Sequence, residues 1–302
     1  MGSSNTERVR HSRLLFLFTS LALWSYSFLL AQAPSPYFFV VASDPQLFFN
    51  QENDLNWGKT ISHVNRLRPD FVVVCGDLIH ADNDPAKWND PAELQKYDVL
   101  AAAYLNNAAT IDPGITLHNV AGNHDVSSEP TRETIAWYSD RFGRTWYSFE
   151  HKRSFFIVLE SNLMKNPNGA PDLAKEQMSW LHETLKRVEK GHFSHKIAFM
   201  HHPLCINRLD EDEGYFNLPK EMRFELLGLF HKYGFDAVFS GHYHRNAYLR
   251  DGELELITTS SCGAALGDDP LGLRIVKVYP DRLEHDYHAF EEMPTEVKMK
   301  GD

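Results

Sequence analysis

Five short apolar runs, each of strand length, alternate with amphipathic stretches along the first 240 residues of the chain. Runs without polar alternation are typical of strands buried on both faces of a sheet. The intervening stretches carry apolar residues three or four positions apart, which predicts helices packed on such a sheet. The predicted strands comprise residues 37–43, 71–75, 115–120, 196–200 and 236–240, and the predicted helices residues 55–67, 92–109, 131–142, 174–188 and 219–233.

Tight turns replace helical connections in the later part of the chain. Residues 146–149 and 155–159 flank a short polar turn and predict a hairpin. Asp251-Gly252 is a strong hairpin signal, and after Gly241 only short strands follow, which indicates a meander. An α/β fold of two mixed β-sheets, packed face to face with helices outside, accommodates both parts of the pattern.

The two ends of the chain differ from this folded part. The sequence predicts a signal peptide over residues 1–33, and therefore an exported protein. The segment has three arginines near its start, an apolar stretch over residues 14–30 and small residues before Pro34. The alternative is an uncleaved membrane anchor formed by residues 14–30, which are near the lower length limit for a spanning helix. We therefore expect one domain over residues 37–290, followed by a polar tail over residues 291–302.

Charge and cysteine content narrow the function classes. The formal net charge of −11 argues against nucleic-acid binding, which needs a basic face. Three cysteines are an odd number and few for an exported protein stapled by disulfides, so we expect no disulfide framework.

A short polar segment follows each of the five apolar runs. Because ligands bind outside the carboxyl ends of strands in open α/β sheets, these segments are expected to converge. They offer carboxylate, amide and imidazole groups, which bind hard or borderline divalent cations, and two cations can share a site this rich in ligands. The segments are Asp44-Pro45-Gln46, Gly76-Asp77, Gly122-Asn123-His124-Asp125, His201-His202-Pro203 and Gly241-His242-Tyr243-His244.

Individual positions within the segments suggest roles. Asp77, following a glycine that permits a tight turn, can project into the cleft and bridge two metals, although a lone Gly-Asp is more often only a turn. His124 and Asp125 are consistent with an imidazole held by a carboxylate, and the alternative is a capping loop. His242 and His244 lie on one side of an extended segment and can serve adjacent metals.

The order of the five segments resembles that of the calcineurin-like metallophosphoesterases. The patterns that carry the resemblance are D-x-Q, G-D, G-N-H-D, H-x-P and G-H-x-H. The strings VVCGDLIHA, YFNL and FSGHYHRNA are similar to one subgroup, the calcineurin-like phosphoesterase domain-containing proteins, which are Ser/Thr phosphatase-like. The resemblance spans about residues 37–288 and implies a four-layer α/β/β/α sandwich.

The resemblance also implies a set of site residues. Two divalent ions (Mn, Fe, Zn or Mg) would activate a bridging hydroxide for in-line attack on phosphorus. His124 would stabilise the phosphoryl oxygens and protonate the leaving group, Asp125 would orient His124, and Arg245 would contact phosphate. Gln46 stands where the family usually has His and should bind its metal less tightly. The implied ligands are Asp44, Gln46, Asp77 and His244 for one metal, and Asp77, Asn123, His201 and His242 for the other.

Three functions remain open from the residues. The first is a phosphomonoesterase, with phosphoserine or phosphothreonine among its candidate substrates, and the second is a phosphodiesterase for small or lipid-derived diesters. The third is a non-catalytic metal-binding protein, which the presence of His124 and Asp125 disfavours. The acidic residues 210–213 are either a solvated loop or a lid that repels polyanionic substrates.

Overall fold

The computed structural model describes residues 35–48 and 51–299. Two mixed sheets lie face to face. The first has the strand order β11-β10-β1-β2-β3, and the second the order β4-β5-β6-β7-β9-β8. The strands are β1 Tyr37–Ala42, β2 Phe71–Cys75, β3 Thr116–Val120, β4 Tyr147–His151, β5 Ser154–Val158, β6 His195–Phe199, β7 Ala237–Ser240, β8 Ala247–Asp251, β9 Leu254–Thr258, β10 Gly272–Val278 and β11 Leu283–Ala289.

Helices cover the outer face of each sheet. The α-helices are α1 Gln51–Leu67, α2 Pro91–Ala108, α3 Asn123–Val126, α4 Arg132–Phe142, α5 Ser161–Lys165, α6 Pro171–Val188 and α7 Lys220–Tyr233. Two short 3-10 helices span Pro85–Asn89 and Phe290–Glu292. Helix α2 shows how local sequence sets an end: Pro91 occupies its first turn, and the Asp90 carboxylate accepts the Ala92 N–H.

Strand β1 shows why two sheets and two helical layers form. Its side chains alternate between faces, so Phe39 and Val41 enter the core between the sheets while Val40 and Ala42 face the core under the helices. All four side chains are fully buried. Burying one such large side chain contributes roughly 2 kcal/mol. The predicted four-layer α/β/β/α sandwich is confirmed.

Both predicted hairpins form, but the predicted meander was wrong. Strand β9 lies parallel to β7 in the second sheet, whereas β10 lies antiparallel to β1 in the first. The chain crosses between the sheets after β9, where the Cys262 N–H donates to the Ser43 carbonyl at 2.8 Å. This contact depends on the tertiary fold and has no local signal.

The ends of the chain are described only in part. The predicted leader over residues 1–33 lies outside the described residues. Across residues 35–48 and 51–299, no helix combines the length and apolarity needed to cross a bilayer. In the segment predicted as a polar tail, Met293 is buried against the core of the first sheet. Cys75, Cys205 and Cys262 are buried free thiols.

Candidate metal centre

The five polar segments meet at the carboxyl ends of the parallel strands. The first sheet supplies Asp44, Asp77 and Asn123 after β1, β2 and β3. The second sheet supplies His201 after β6, and the histidines of the last segment after β7. All the predicted ligands are buried, Gln46 being the most exposed at 8%. The seven predicted ligands thus come from both sheets.

Asp77 belongs to two groups of potential metal ligands. In one, single ligand atoms of Asp77, His201 and His242 all lie within 4.8 Å of one another. In the other, the same holds for Asp44, Asp77 and His244. A carboxylate common to two such groups is positioned to bridge two cations.

The two oxygens of Asp77 face different neighbours. Oδ1 lies 3.3 Å from Nε2 of His201 and accepts the His124 backbone N–H at 2.9 Å. Oδ2 accepts from Nε2 of Gln46 at 3.4 Å. Gln46, at the position where sequence reasoning expected a weak ligand, therefore lies beside the shared carboxylate.

Each of the three histidines in these groups has one ring nitrogen against a backbone carbonyl. Nδ1 of His201 donates to the Cys75 carbonyl at 2.8 Å, and Nε2 of His242 donates to the Tyr215 carbonyl at 3.1 Å. Nδ1 of His244 donates to the carbonyl of Ala264. Such bonds fix the tautomer of a metal-binding histidine and leave the opposite nitrogen as the ligand atom.

The donor set fits two divalent cations. Nε2 of His201 lies 3.1 Å from Oδ1 of Asn123 and 3.3 Å from Oδ1 of Asp77, so three potential electron-pair donors converge on one position. Although burial lowers the pKa of His201, the Asp77 carboxylate raises it to about 9. The position therefore attracts positive charge, and carboxylate, amide and imidazole are suitable ligands for borderline divalent metals.

Electrostatics keep Asp77 ionised and His242 neutral, which are the forms in which each binds a metal. Burial alone would raise the pKa of Asp77, but the imidazoles of His201 and His124 lower it below its usual value, so this carboxylate stays ionised. Burial, together with nearby His201, lowers the pKa of His242 to about 3, so that imidazole stays neutral.

The backbone at the site adopts conformations that non-glycine residues rarely use. A positive φ costs such a residue on the order of 1–3 kcal/mol, and this strain concentrates at functional sites. The affected residues are Asp44 (φ 51°), Gln46 (41°), Asp77 (52°), His242 (64°) and His244 (53°).

Two glycines allow the segments to approach one another. A Cβ atom at Gly241 would overlap the Ser43 hydroxyl and the Asp44 carboxylate. A Cβ at Gly122 would overlap the backbone and carboxylate of Asp77. Glycine at position 241 therefore permits close approach between the two sheets, and glycine at position 122 permits close approach between two segments of the first sheet.

The expected contact between His124 and Asp125 was wrong. Nδ1 of His124 instead donates to the Ala81 carbonyl at 2.7 Å, and its ring stacks on His80 with centroids 4.3 Å apart. The carboxylate of Asp125 accepts three backbone N–H groups at 2.8–3.1 Å, from Leu78, Ile79 and Gly122. Asp125 lies three residues after Gly122, in the first turn of α3, which is the position of a capping residue. This is the capping loop that the sequence analysis gave as the alternative. Burial and nearby Asp77 raise the pKa of Asp125 to about 8.

Arg245 also has contacts that sequence reasoning did not foresee. Its Nε donates to the Leu266 carbonyl, and Nη1 donates to the Tyr243 hydroxyl at 3.2 Å. The bond to Leu266 attaches the chain after β9 to the end of the last ligand segment, and the bond to Tyr243 lies within that region. The phosphate contact expected of Arg245 stays a prediction.

Two aromatic residues beside the group of Asp77, His201 and His242 were missed. The rings of Tyr215 and Phe216 pack on the His242 imidazole, with centroids 4.8 and 5.6 Å away. The string YFNL was the available signal, but it carries no recognisable metal chemistry. Both residues lie in the segment between β6 and α7, so this segment forms one side of the centre.

The segment that carries Tyr215 is held from three directions. Lys165 donates to the carbonyls of Gly214 and Asn217, both at 2.7 Å. The fully buried Arg223 donates to the Leu209, Glu211 and Leu218 carbonyls. The Glu211 carboxylate accepts three backbone N–H groups, so one of the acidic residues of the lid hypothesis is structural.

A cavity of about 530 Å³ opens beside the group of Asp77, His201 and His242. Asn123 and His202 line it on the side of the metal centre. Other lining residues are Glu213 and Tyr215, from the segment between β6 and α7, and Lys165 and Asn166, from the end of α5. This volume lies in the range of small-ligand pockets.

Among α/β/β/α sandwiches, a carboxylate common to two cation-binding groups defines the binuclear metallophosphoesterases, and fold and site point to this class. The chain belongs to the calcineurin-like phosphoesterase family, whose family model matches residues 39–246. It is thus a metal-dependent phosphoric ester hydrolase.

The similar proteins agree with this assignment. The chain is 35% identical over 278 residues to human serine/threonine-protein phosphatase CPPED1, and 34% identical over 275 residues to the rat protein of that name. Each match covers 85% of both sequences. A dimetal phosphatase structure from Danio rerio superposes with a TM-score of 0.63 at 14% identity, covering 84% of this chain and 96% of that one. This structural likeness concerns the fold.

Proposed function

We propose that the protein hydrolyses phosphomonoesters, with phosphoserine and phosphothreonine side chains of proteins as the substrate class. The observation that carries the proposal is the pair of cation-binding groups joined by Asp77, with a ligand-sized cavity opening beside Asn123. The names of the relatives support the choice of Ser/Thr phosphoesters.

The chain's own residues would divide the work as follows. One cation would be held by Asp77 together with Asp44, Gln46 and His244. The second would be held by the same carboxylate together with Asn123, His201 and His242. Two bound cations supply a water of lowered pKa and neutralise charge on the phosphoryl group. Imidazole in both groups favours Mn, Fe or Zn over Mg.

His124 is the proposed contact to the phosphoryl group. Its backbone N–H is bonded to Asp77 and its Nδ1 to the Ala81 carbonyl, so the ring is held beside the shared carboxylate with Nε2 on the opposite edge. From that position Nε2, when protonated, would donate a hydrogen bond to a phosphoryl oxygen as charge develops in the transition state.

A substrate panel tests the proposal. Protein supplemented with Mn²⁺ should hydrolyse p-nitrophenyl phosphate and phosphoserine peptides faster than bis-p-nitrophenyl phosphate. His124→Ala should lower kcat by about 100-fold or more on the monoesters. Preference for the diester would favour a phosphodiesterase, and wild-type turnover no higher than that of His124→Ala would reject catalysis at this site.

We further propose that the protein is exported by residues 1–33. The charge and hydrophobicity pattern of that segment supports this proposal. Expression of the full chain followed by fractionation and N-terminal sequencing should give a mature protein that begins at Pro34. A full-length chain in the membrane fraction would instead favour an anchor over residues 14–30.

A further inference from the structure

His202 is the one histidine of the ligand segments that forms part of the cavity wall. It follows the proposed ligand His201, is only 2% exposed, and lines the cavity together with Asn123 and Tyr215. His124, the predicted proton donor, is not among the residues that line this cavity. A leaving group that occupies the cavity therefore meets His202.

Ser161, at the start of α5, fixes the tautomer of His202. The Ser161 hydroxyl oxygen accepts the His202 backbone N–H at 2.9 Å and lies 3.0 Å from Nδ1 of the same residue. If Nδ1 carried hydrogen, the serine oxygen would receive two donors and its own hydrogen would have no partner in this pair. The arrangement that satisfies every group has the hydroxyl donating to Nδ1, which leaves the ring hydrogen on Nε2.

His202 is not positioned as a metal ligand. Neither of the two cation-binding groups includes it, although its ring centroid is only 4.2 Å from that of His242. No hydrogen-bond partner of Nε2 is found among the described residues. A buried imidazole that lines a cavity and has one ring nitrogen without a protein partner is arranged for a ligand.

We propose that His202 is a specificity-determining substrate contact, whose Nε2–H donates a hydrogen bond to the leaving-group oxygen of a phosphomonoester seated in the cavity. This inference rests on the proposed function. It assigns the cavity to the alcohol portion of the substrate and assigns the phosphoryl group to the cations and His124.

The lining of the cavity suits a polar alcohol portion. Lys165, Asn166 and Glu213 place an ammonium, an amide and a carboxylate around it, and Tyr215 closes one side with its ring on His242. A peptide carrying phosphoserine or phosphothreonine offers both donors and acceptors to such groups, whereas a purely apolar alcohol offers neither.

The test compares leaving groups. Mn²⁺-loaded wild type, His202→Asn, His202→Gln and Ser161→Ala would be assayed on p-nitrophenyl phosphate and on phenyl phosphate, whose phenolate is a much poorer leaving group. The kcat/KM of His202→Asn should fall about 100-fold on phenyl phosphate but only a few-fold on p-nitrophenyl phosphate, because a poor leaving group depends most on a donor. The amide nitrogen of Gln reaches the Nε2 position, so His202→Gln should regain about tenfold of the loss.

Two further measurements separate this role from a structural one. The metal content of each variant should equal that of wild type. Ser161→Ala should also lose more kcat/KM on phenyl phosphate than on p-nitrophenyl phosphate, but by a smaller factor than His202→Asn. His182→Asn on α6, where the histidine is half exposed, is the matched control and should change neither ester.

Several results would overturn the inference. One is an equal loss of kcat/KM on both esters in His202→Asn, and another is unchanged selectivity between the esters in both His202→Asn and Ser161→Ala. A third is a loss of bound metal in His202→Asn. A fourth is a loss confined to phenyl phosphate in His124→Ala instead of in His202→Asn. If wild type hydrolyses neither ester, the proposed function itself fails, which is distinguishable from all of these.

Discussion

Asp77 connects the sequence of this protein to its chemistry at the scale of one residue. It follows a buried strand, adopts a positive φ and turns one carboxylate oxygen toward His201 and the other toward Gln46. A glycine at position 122 leaves room for it. This one carboxylate therefore belongs to both groups of potential metal ligands.

Gln46→His should tighten the binding of one cation. Imidazole is a stronger donor than a neutral amide, and the side chain at this position already lies beside Asp77. We expect the dissociation constant of one Mn²⁺ to fall by about tenfold, measured by calorimetric titration of metal-stripped protein. Unchanged affinities for both ions would show that Gln46 is not a ligand.

Asp125→Asn should destabilise the fold more than it changes the pH dependence of catalysis. The amide NH₂ would face backbone N–H groups that now donate to the two carboxyl oxygens of Asp125, leaving at least one buried donor without an acceptor. The expected loss is about 1–3 kcal/mol in the free energy of unfolding, measured with urea. The exposed Asp268 provides a control as Asp268→Asn.

A different outcome would restore the original expectation for Asp125. If Asp125→Asn unfolds like wild type but shifts the acidic limb of the pH–rate profile, then Asp125 acts on His124 after all.

At the scale of elements, the two sheets are joined by ring contacts as well as by the metal centre. His118 of β3, on one sheet, stacks on Phe149 of β4, on the other, with ring centroids 3.8 Å apart. Burial, and to a lesser extent His151, lowers the pKa of His118 to about 4. The edge strands of the two sheets therefore pack through a neutral imidazole.

This contact predicts a pH dependence of stability. Because the folded pKa lies below the unfolded value near 6.5, the unfolded state binds more protons between the two, and stability falls as pH drops through this window. His118→Phe keeps the stacking and removes the titration. Between about pH 7 and about pH 5, wild type should lose roughly 2 kcal/mol more than His118→Phe in urea unfolding, and equal losses would contradict the assignment.

The sequence predicted elements and ligands where a local pattern determined them. Asp44, Asp77 and His242 were predicted to converge because each follows an apolar run at a strand end, and the structure brings them together. The contacts that Asp125 and Arg245 make were missed because their partners, such as Leu78 and Leu266, are brought to them by the fold. For the same reason the sequence did not indicate that β9 and β10 join different sheets.

At the scale of the whole molecule, the proposed ligands come in two sets from facing sheets. Asp44, Asp77 and Asn123 belong to the first sheet, and His201, His242 and His244 to the second. Bound cations would therefore connect the sheets, and ligands that bind only the folded state raise its stability.

Metal removal should consequently lower the melting temperature. We expect dialysis against EDTA to lower Tm by several degrees, as for a loss of about 2–3 kcal/mol, and Mn²⁺ to restore it. In Asp77→Ala, which lacks the shared ligand, Mn²⁺ should have no such effect. A metal-dependent shift of equal size in this variant would contradict the shared role.

The most direct test of the account is anomalous diffraction from crystals of the protein grown with Mn²⁺. The account predicts two anomalous peaks about 3.5–4 Å apart, with one oxygen of Asp77 or both within bonding distance of the two ions. A single peak, or two peaks of which only one contacts Asp77, would contradict it.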